Sequence, residues 1–97
     1  MAKGYWIARV TVTNPERYKD YVTANAIAFA KYGARFVVRG GQHAVKCGTA
    51  RARHVVIEFK DYATALACYE SPEYKAAELV RNKYSTGDVV VIEGYDG

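Results

Sequence analysis

The sequence contains two successive copies of a strand–helix–strand pattern, and this repetition limits the folds that the chain can adopt. In the first copy a β-like run over residues 5–12 leads into a long helical stretch and then into the apolar run 36–38. In the second copy the β-like run 55–59 leads into helical sequence and ends on the apolar run 89–92. Two such units within 97 residues predict one α+β domain, 1–97, with a four-stranded antiparallel sheet.

The first helical stretch has clear start and stop residues. Asn14 can accept a hydrogen bond from a first-turn N–H, Pro15 suits the first helical position, and Gly33 can adopt the left-handed conformation that ends many helices. Between them, apolar and aromatic residues recur at three- and four-residue intervals, so we expect one stripe to lie on the sheet. The predicted stripe consists of Tyr18, Tyr21, Val22, Ala26, Phe29 and Tyr32.

The second helical stretch has two start sites. Asp61 can cap a first segment, and Ser71 followed by Pro72 repeats the cap-and-proline order of the first helix. Since proline breaks a continuous helix, the pattern predicts two segments with an interruption at Ser71, flanked by Tyr69 and Tyr74. Such a break is typical either of a pocket wall or of a kink needed only for packing. The inward positions of the second segment are Tyr74, Ala77 and either Val80 or Arg81.

Charge and composition leave several ligand classes open. The formal net charge is +4, and the lysines and arginines are scattered, which permits an anionic ligand without requiring one. Tyrosine is over-represented, with nine residues, and it suits interfaces and cavities that are partly open to water, because its ring is apolar and its hydroxyl is polar. Cys47 and Cys68 show neither CxxC nor zinc-ligand spacing, and no apolar run has membrane-spanning length. We therefore expect a reduced, cytoplasmic protein that does not associate with membranes.

Alternation within the predicted strands assigns the two faces of the sheet. Val55, Ile57 and Phe59 form an apolar set suited to the helices, which leaves the even-numbered residues of that strand on the other face. In a ferredoxin-like βαββαβ order, the first strand lies between the third and the fourth. We therefore expect Arg9 to lie between a glutamate of the third strand and one of the fourth. A diglycine at 40–41 ends the second strand, and a further short strand is expected near 44–47.

The face turned away from the helices is predicted to form a homodimer interface. It is too apolar to be left in water, and its few charges balance one another, which is typical of an association surface. Pairing would also stabilise a domain with a core of this size. The charges could serve only as ion pairs within the interface. The predicted interface residues are Tyr5, Ile7, Arg9, Val56, Glu58, Val91 and Glu93.

Short motifs spread over nearly the whole chain resemble the DUF1330 family. They are KGYWIA at 3–8, NPE at 14–16, YG at 32–33, RGG at 39–41, VIEF at 56–59, YESPEY at 69–74 and EGY at 93–95. The resemblance implies a dimeric α/β barrel, in which two ferredoxin-like units pack their sheets together and a cavity lies between each sheet and its helices. The family has no settled reaction. Related branches include cofactor-independent monooxygenases, muconolactone isomerases, haem-degrading enzymes and proteins without known catalysis, and the fold does not select among them.

Aromatic hydroxyls and one guanidinium are the best candidates for a ligand site. They would enclose a flat aromatic or anionic molecule and stabilise an enolate or phenolate without a cofactor, although the same tyrosines could simply line the core. His54 or Glu58 is the candidate for proton transfer. Neither His43 nor His54 has a second ligand at helical or strand spacing, so no metal or other cofactor is predicted. The predicted ligand-binding residues are Tyr18, Tyr21, Arg39, Tyr69, Ser71 and Tyr74.

The residue patterns leave three functional classes. The first is a homodimeric small-molecule-binding enzyme, an oxidoreductase or isomerase acting on an aromatic or enolisable compound. The second is a ligand-binding or regulatory homodimer without catalysis. The third is nucleic-acid binding, which the element order permits but the third strand does not favour, because Val56 and Glu58 stand where base-stacking aromatic residues are needed. We therefore expect no nucleic-acid partner.

Overall fold

The computed structural model describes residues 2–97 and has the predicted ferredoxin-like α+β fold. The sheet is antiparallel throughout, with the strand order β2-β3-β1-β4, which places the first strand between the third and the fourth as expected. The elements are β1 (Gly4–Val12), α1 (Pro15–Tyr32), β2 (Arg35–Arg39), β3 (Arg53–Phe59), α2 (Tyr62–Glu70), α3 (Pro72–Tyr84) and β4 (Ser85–Glu93).

The helices cover one face of the sheet and leave the other face uncovered. The molecule measures 37 × 35 × 17 Å, and its shortest dimension is the thickness of one helical layer on one sheet. Trp6 is at the centre of the core: its ring contacts those of Phe29, Phe59 and Tyr74 at centroid distances of 5.2, 5.3 and 4.8 Å. Its indole N–H donates to the Ala65 carbonyl at 2.8 Å, so this buried donor is satisfied.

The first helix begins and ends where the sequence predicts, but its buried stripe differs from the predicted one and also includes Ala28. Asn14 accepts a hydrogen bond from the Arg17 backbone N–H at 3.2 Å, and Gly33 takes the left-handed conformation with φ 66°. Ala26 is exposed, whereas Asn25 is buried. Ala26 was expected in the stripe because it is apolar, yet the helix turns its polar neighbour toward the sheet.

The predicted break in the second helical stretch is confirmed at Ser71. Its hydroxyl donates to the Cys68 carbonyl at 2.7 Å and accepts from the Tyr74 backbone N–H at 3.1 Å. One side chain thus ends α2 and caps α3. Because the Ser71 hydroxyl donates to one backbone group and accepts from another, it stabilises the junction between α2 and α3.

Two connections have opposite character. The helix α3 passes directly into β4, so that Tyr84 ends the helix and Ser85 begins the strand, and the Ser85 hydroxyl donates back to the Arg81 carbonyl at 2.7 Å. The segment 40–52, by contrast, is almost entirely exposed. The strand expected at 44–47 is absent there, since no strand is found between β2 and β3 in the part of the chain that the structure describes.

The strand register confirms the predicted faces of β1 and β3 and corrects that of β4. Trp6 pairs with Val91, which packs against the core, and Ile7 pairs with Val90. Val91 and Glu93 therefore share the helix side of the sheet, and their assignment to the open face was wrong because the alternation of β4 had been set one residue out of phase. Val90 and Ile92 occupy the open face instead.

The expected position of Arg9 between Glu58 and Glu93 is also wrong. Its cross-strand neighbours are His54 on β3 and Asp88 on β4. The pattern identified the neighbouring strands correctly but could not fix the offset between them.

Candidate functional site

A cavity of about 40 Å³ lies between the sheet and the helices α1 and α3. It is at the end of the sheet where β1 ends, β3 begins and the exposed segment 40–52 connects β2 to β3. Aromatic and aliphatic side chains form most of its wall, and in the described residues no aspartate, glutamate or histidine lines it. Its polar lining consists of Tyr18, Tyr21, Asn25, Arg39, Arg53, Tyr74 and Arg81.

The volume of this cavity limits what it can hold. A buried water needs about 10–15 Å³ of such space, so 40 Å³ admits two or three waters or a group of similar size. An apolar cavity that binds benzene measures about 150 Å³, and sites for drug-sized ligands measure about 300–1,000 Å³. As it stands, the cavity therefore accommodates a small polar group and no aromatic ring.

Two phenols and a guanidinium form a connected network on the helix side of the cavity. The hydroxyls of Tyr21 and Tyr74 are 2.7 Å apart, and Arg81 Nη1 donates to the Tyr74 hydroxyl at 2.9 Å. Either phenol can donate to the other, so the bond between them uses one of their two protons and leaves the second available to the cavity that both side chains line. The network can thus present a hydrogen-bond donor to a bound oxygen.

Burial raises the pKa of two phenols of the cavity, Tyr74 and Tyr18. It raises the pKa of Tyr74 far above its ordinary value, and the neighbouring Tyr21 adds to the effect. Burial and Tyr21 also raise the pKa of Tyr18, while the nearby Arg53 guanidinium acts in the opposite direction. These tyrosines act as neutral donors near pH 7, and an anionic oxygen is the partner that such donors favour.

Tyr69 belongs to the network but not to the cavity wall. Its hydroxyl donates to Glu78 at 2.6 Å and accepts from Arg81 Nη2 at 3.2 Å, and Lys75 approaches the same glutamate at 3.4 Å. Burial, followed by the bond to Glu78, raises the pKa of Tyr69. The predicted set is therefore divided: Tyr18, Tyr21, Arg39 and Tyr74 meet at the cavity, whereas Tyr69 and Ser71 hold α3 and its arginine in place.

Two arginines of the cavity lack a carboxylate partner. Arg39 packs its guanidinium over the Phe36 ring at 4.2 Å, and no carboxylate lies within 4.0 Å of Arg39 or Arg53 in residues 2–97. Arg53 Nε is buried without a hydrogen-bond partner. With Arg81, which pairs with Glu78 at 3.4 Å, three guanidiniums meet at the cavity and one carboxylate compensates them from outside. The site therefore has an excess of positive charge.

The predicted proton-transfer residues lie elsewhere. Val55 and Ile57 face the cavity, so His54 and Glu58 project from the opposite face of the sheet. The ring of His54 contacts that of His43 at 4.6 Å, and Glu58 pairs with Arg35 at 3.4 Å. Neither side chain reaches the cavity of this chain, which removes both from proton transfer at that site.

The remaining nucleophile and metal candidates do not form a site in the described residues. Burial raises the pKa of the Cys68 thiol to about 12, so that it stays protonated near pH 7. No group of three or more histidine, cysteine, aspartate or glutamate side chains in residues 2–97 could hold a metal ion. None of the helices in that range is both long enough and apolar enough to cross a membrane.

Two polar residues of the cavity, Asn25 and Arg53, were not among those predicted from the sequence. Asn25 follows Tyr21 and Tyr18 at helical spacing, so the periodicity alone would have placed it on the stripe, but its polarity excluded it. Arg53 lies at the start of β3, two residues before Val55, and strand alternation would have assigned it to the helix side. The inward position on α3 had been left open between two residues, and the one that lines the cavity is Arg81.

Comparisons with known proteins identify the family and the fold. The model of a family described as a domain of unknown function, DUF1330, matches residues 3–95. A search of curated protein sequences finds no match.

Solved structures resemble the chain over nearly its whole length at low identity. RPA0582, a protein of unknown function from Rhodopseudomonas palustris, has a TM-score of 0.71 and 15% identity, with coverage of 95% of this chain and 80% of the other. SnoaB, a cofactor-independent oxygenase from Streptomyces nogalater, has a TM-score of 0.66 and 14% identity, covering 100% and 97%. A dimeric ferredoxin-like protein of unknown function from Thermobifida fusca has a TM-score of 0.61 and 17% identity, covering 95% and 89%. At these identities the likeness establishes the fold alone.

Proposed function

The chain belongs to the DUF1330 family, and we propose that it is a homodimeric protein that binds a small oxygen-bearing molecule in the cavity between sheet and helices. The observation that carries the proposal is the composition of the cavity: three guanidiniums and neutral phenols line it, without any carboxylate from the described residues. A site of this kind favours an anionic oxygen.

The proposed reaction is the conversion of an enolisable compound by an oxidoreductase or isomerase that uses no cofactor. The phenol pair and the guanidiniums would stabilise the enolate oxygen, because they are positioned before the ligand arrives. The size of the cavity favours an enolisable ligand over an aromatic one. The likeness in fold to a cofactor-independent oxygenase supports this class of reaction by analogy only.

A second candidate is a ligand-binding or regulatory homodimer without catalysis. It is favoured by one specific observation: the described lining of the cavity contains no carboxylate or imidazole that could remove a proton near pH 7. Under this proposal the ligand enters and leaves unchanged. Turnover of a bound compound would decide for the enzyme.

The proposed dimer forms through the open face of the sheet. Ile7, Val90 and Ile92 are neighbours there across β1 and β4, and their exposed fractions are 39%, 46% and 45%. Glu58, Lys3 and Arg35 add a charged rim. A second copy is the occupant that fits best, since the surface combines apolar and charged groups of both signs and a protein of the same fold is dimeric.

The dimer is tested by sedimentation velocity at micromolar concentration. We expect the unmodified protein to sediment at twice the mass of one chain and Ile7→Asp to sediment at the mass of one chain, because a carboxylate would be desolvated in the contact. The matched control is Ile27→Asp on the outer side of α1, where the isoleucine is 67% exposed and outside the proposed contact. A monomeric unmodified protein, or equal behaviour of both variants, would contradict the proposal.

The ligand is sought by native mass spectrometry of the purified protein, followed by identification of any compound released on unfolding. We expect a small anion bound once per chain. Arg39→Ala should weaken its binding and leave the dimer intact, because Arg39 lines the cavity on the helix side of the sheet. Unchanged affinity in this variant would remove Arg39 from the site, and the absence of any bound small molecule would count against the function itself.

A further inference from the structure

The amide of Asn25 is a polar group of the cavity wall for which the described protein supplies no hydrogen-bond partner. The residue is only 6% exposed and lines the cavity. No hydrogen bond to its side chain is found within residues 2–97, although its neighbours Tyr21 and Tyr74 are bonded to each other. Burying an unpartnered amide costs about 1–3 kcal/mol, so such groups are normally paired with protein, water or ligand. The amide therefore points to an occupant of the cavity.

Arg53 supplies a second unpartnered group on the facing wall. It pairs with Val10 in the sheet, on the helix side, and its Nε is buried without a hydrogen-bond partner. The remainder of the guanidinium lies against Gly40, where an added Cβ would come within 2.7 Å of Nη1. Gly40 also has a φ of 66°, which glycine adopts without strain. The glycine thus leaves room for a guanidinium that has no counter-ion in the described protein.

The cavity between these two groups has the size of a carboxylate with a short chain. Its volume of about 40 Å³ is below the roughly 150 Å³ that accommodates a benzene ring. Phosphate sites in proteins commonly use successive backbone N–H groups at the start of a helix, whereas the polar lining here consists of side chains. A guanidinium and an amide both donate in a plane and can each reach one carboxylate oxygen.

We propose that Asn25 and Arg53 form a subsite for the carboxylate of a short acyclic monocarboxylic acid. The Arg53 Nε–H donates to one carboxylate oxygen and the Asn25 Nδ2 donates to the other. The phenol proton that is not used between Tyr21 and Tyr74 then reaches a carbonyl or enol oxygen next to the carboxylate. The inference rests on the proposed function, since it names the ligand class of the same cavity, and it adds two residues that bind the ligand directly.

The test is calorimetric titration at constant ionic strength with four probes: acetate, pyruvate, benzoate and inorganic phosphate. We expect acetate and pyruvate to bind, with pyruvate the tighter of the two because it offers a second oxygen to the pair of phenols, Tyr21 and Tyr74. Arg53→Gln should raise the dissociation constant about tenfold to a hundredfold, the range of a lost hydrogen bond to a charged group. Arg17→Gln is the matched control, because this arginine pairs with Asp20 on the outer side of α1.

Asn25→Leu separates a ligand-binding role from a structural one. The substitution removes an amide without a protein partner, so we expect the ligand-free protein to lose no stability while carboxylate binding falls at least tenfold. If Asn25 served the fold, the leucine variant would unfold more easily. In nitrogen-edited NMR spectra, the Asn25 amide and Arg53 Nε–H signals should shift on addition of pyruvate, and unshifted signals would contradict the contact.

The remaining outcomes distinguish the inference from the proposed function. Phosphate binding tighter than both carboxylates, or carboxylate binding unaffected by Arg53→Gln and Asn25→Leu, would overturn the subsite. If a co-purified compound were displaced by Arg39→Ala while these two variants retained it, the subsite would fall and the proposed function would stand. If neither the probes nor a co-purified molecule bound, both would fall.

Discussion

Removing one hydroxyl at the centre of the molecule should measure how the charge of Arg81 is held in the core. Tyr74 is fully buried, and its hydroxyl joins Tyr21 at 2.7 Å to Arg81 Nη1 at 2.9 Å. Tyr74→Phe deletes both bonds without changing the shape of the ring. Tyr21→Phe deletes only the bond between the phenols. The two variants therefore differ by the hydrogen bond to the guanidinium.

The expected costs follow from the type of each bond. A neutral hydrogen bond contributes about 1 kcal/mol and one to a charged group about 1.5–3 kcal/mol, so Tyr21→Phe should lose about 1 kcal/mol and Tyr74→Phe about 2.5–4 kcal/mol. Arg81 Nη2 keeps its contacts with Tyr69 and Glu78, which favours the lower end for Tyr74→Phe. The double variant should cost about as much as Tyr74→Phe alone, because the bond between the phenols can be lost only once.

The assay is urea unfolding followed by circular dichroism, with all proteins at one concentration because association adds to the apparent stability. For a domain of this length, the loss in Tyr74→Phe corresponds to a fall in Tm of roughly 10 °C or more. Tyr95→Phe is the matched control, since that side chain is 95% exposed and should leave the unfolding midpoint unchanged. Equal losses in Tyr74→Phe and Tyr21→Phe, within about 0.5 kcal/mol, would refute the bond between Tyr74 and the guanidinium.

Three further predictions concern single positions. Gly40→Ala should lower the stability by about 1 kcal/mol, because Gly40 has a left-handed φ. It should also lower the affinity for pyruvate, because the added Cβ displaces the Arg53 guanidinium. Gly41→Ala, which has open space around it, should change neither the urea unfolding curve nor the calorimetric affinity. At pH 8 an aromatic disulfide reagent should titrate the exposed Cys47 alone, and reaction of Cys68 before unfolding would contradict the burial that raises its pKa to about 12. The hydrogen bond from Lys31 lowers the pKa of Glu73 in the folded protein. The stabilising contribution of Glu73 is therefore complete above the ordinary pKa of about 4.5 and is lost as the pH falls through the lowered pKa of the folded state. Unfolding curves of Glu73→Gln should accordingly depend less on acid pH than those of the unmodified protein.

The fold was predictable because the residues that begin and end its helices act locally. Asn14, Gly33 and Ser71 act on backbone groups within a few residues of themselves, so their roles can be recognised without knowledge of the tertiary structure. The faces of β1 and β3 were equally accessible, since each strand alternates between apolar and polar residues. Local chemistry and the global fold agree at these positions.

The strand offsets and the open face were only partly predictable. The run 89–92 contains four consecutive aliphatic residues, so it has no alternation from which a face could be assigned. The true phase depends on where α3 ends, because β4 begins at the very next residue. Arg9 was misplaced for a related reason: the offset between two strands is set by their connections and packing, which no single strand encodes.

The candidate site was likewise predictable only in part. Aromatic residues on helical stripes could be expected near a cavity, and four of the six predicted residues line it. Asn25 and Arg53 were passed over because a polar residue on an apolar face counts against burial in sequence patterns. Such residues are also the ones that a binding site requires, so a rule suited to the core is poorly suited to finding the site.

The direct passage from α3 into β4 determines where the length of this chain can vary. One residue inserted between Tyr84 and Ser85 would either bulge out or turn every side chain of β4 to the opposite face, exchanging the core valines for the outer ones. The exposed segment 40–52 carries no such constraint, and it joins two strand ends, Arg39 and Arg53, that line the cavity. Insertions and deletions among related chains should therefore collect at that segment, because a change of length there does not turn the side chains of a core strand to the opposite face.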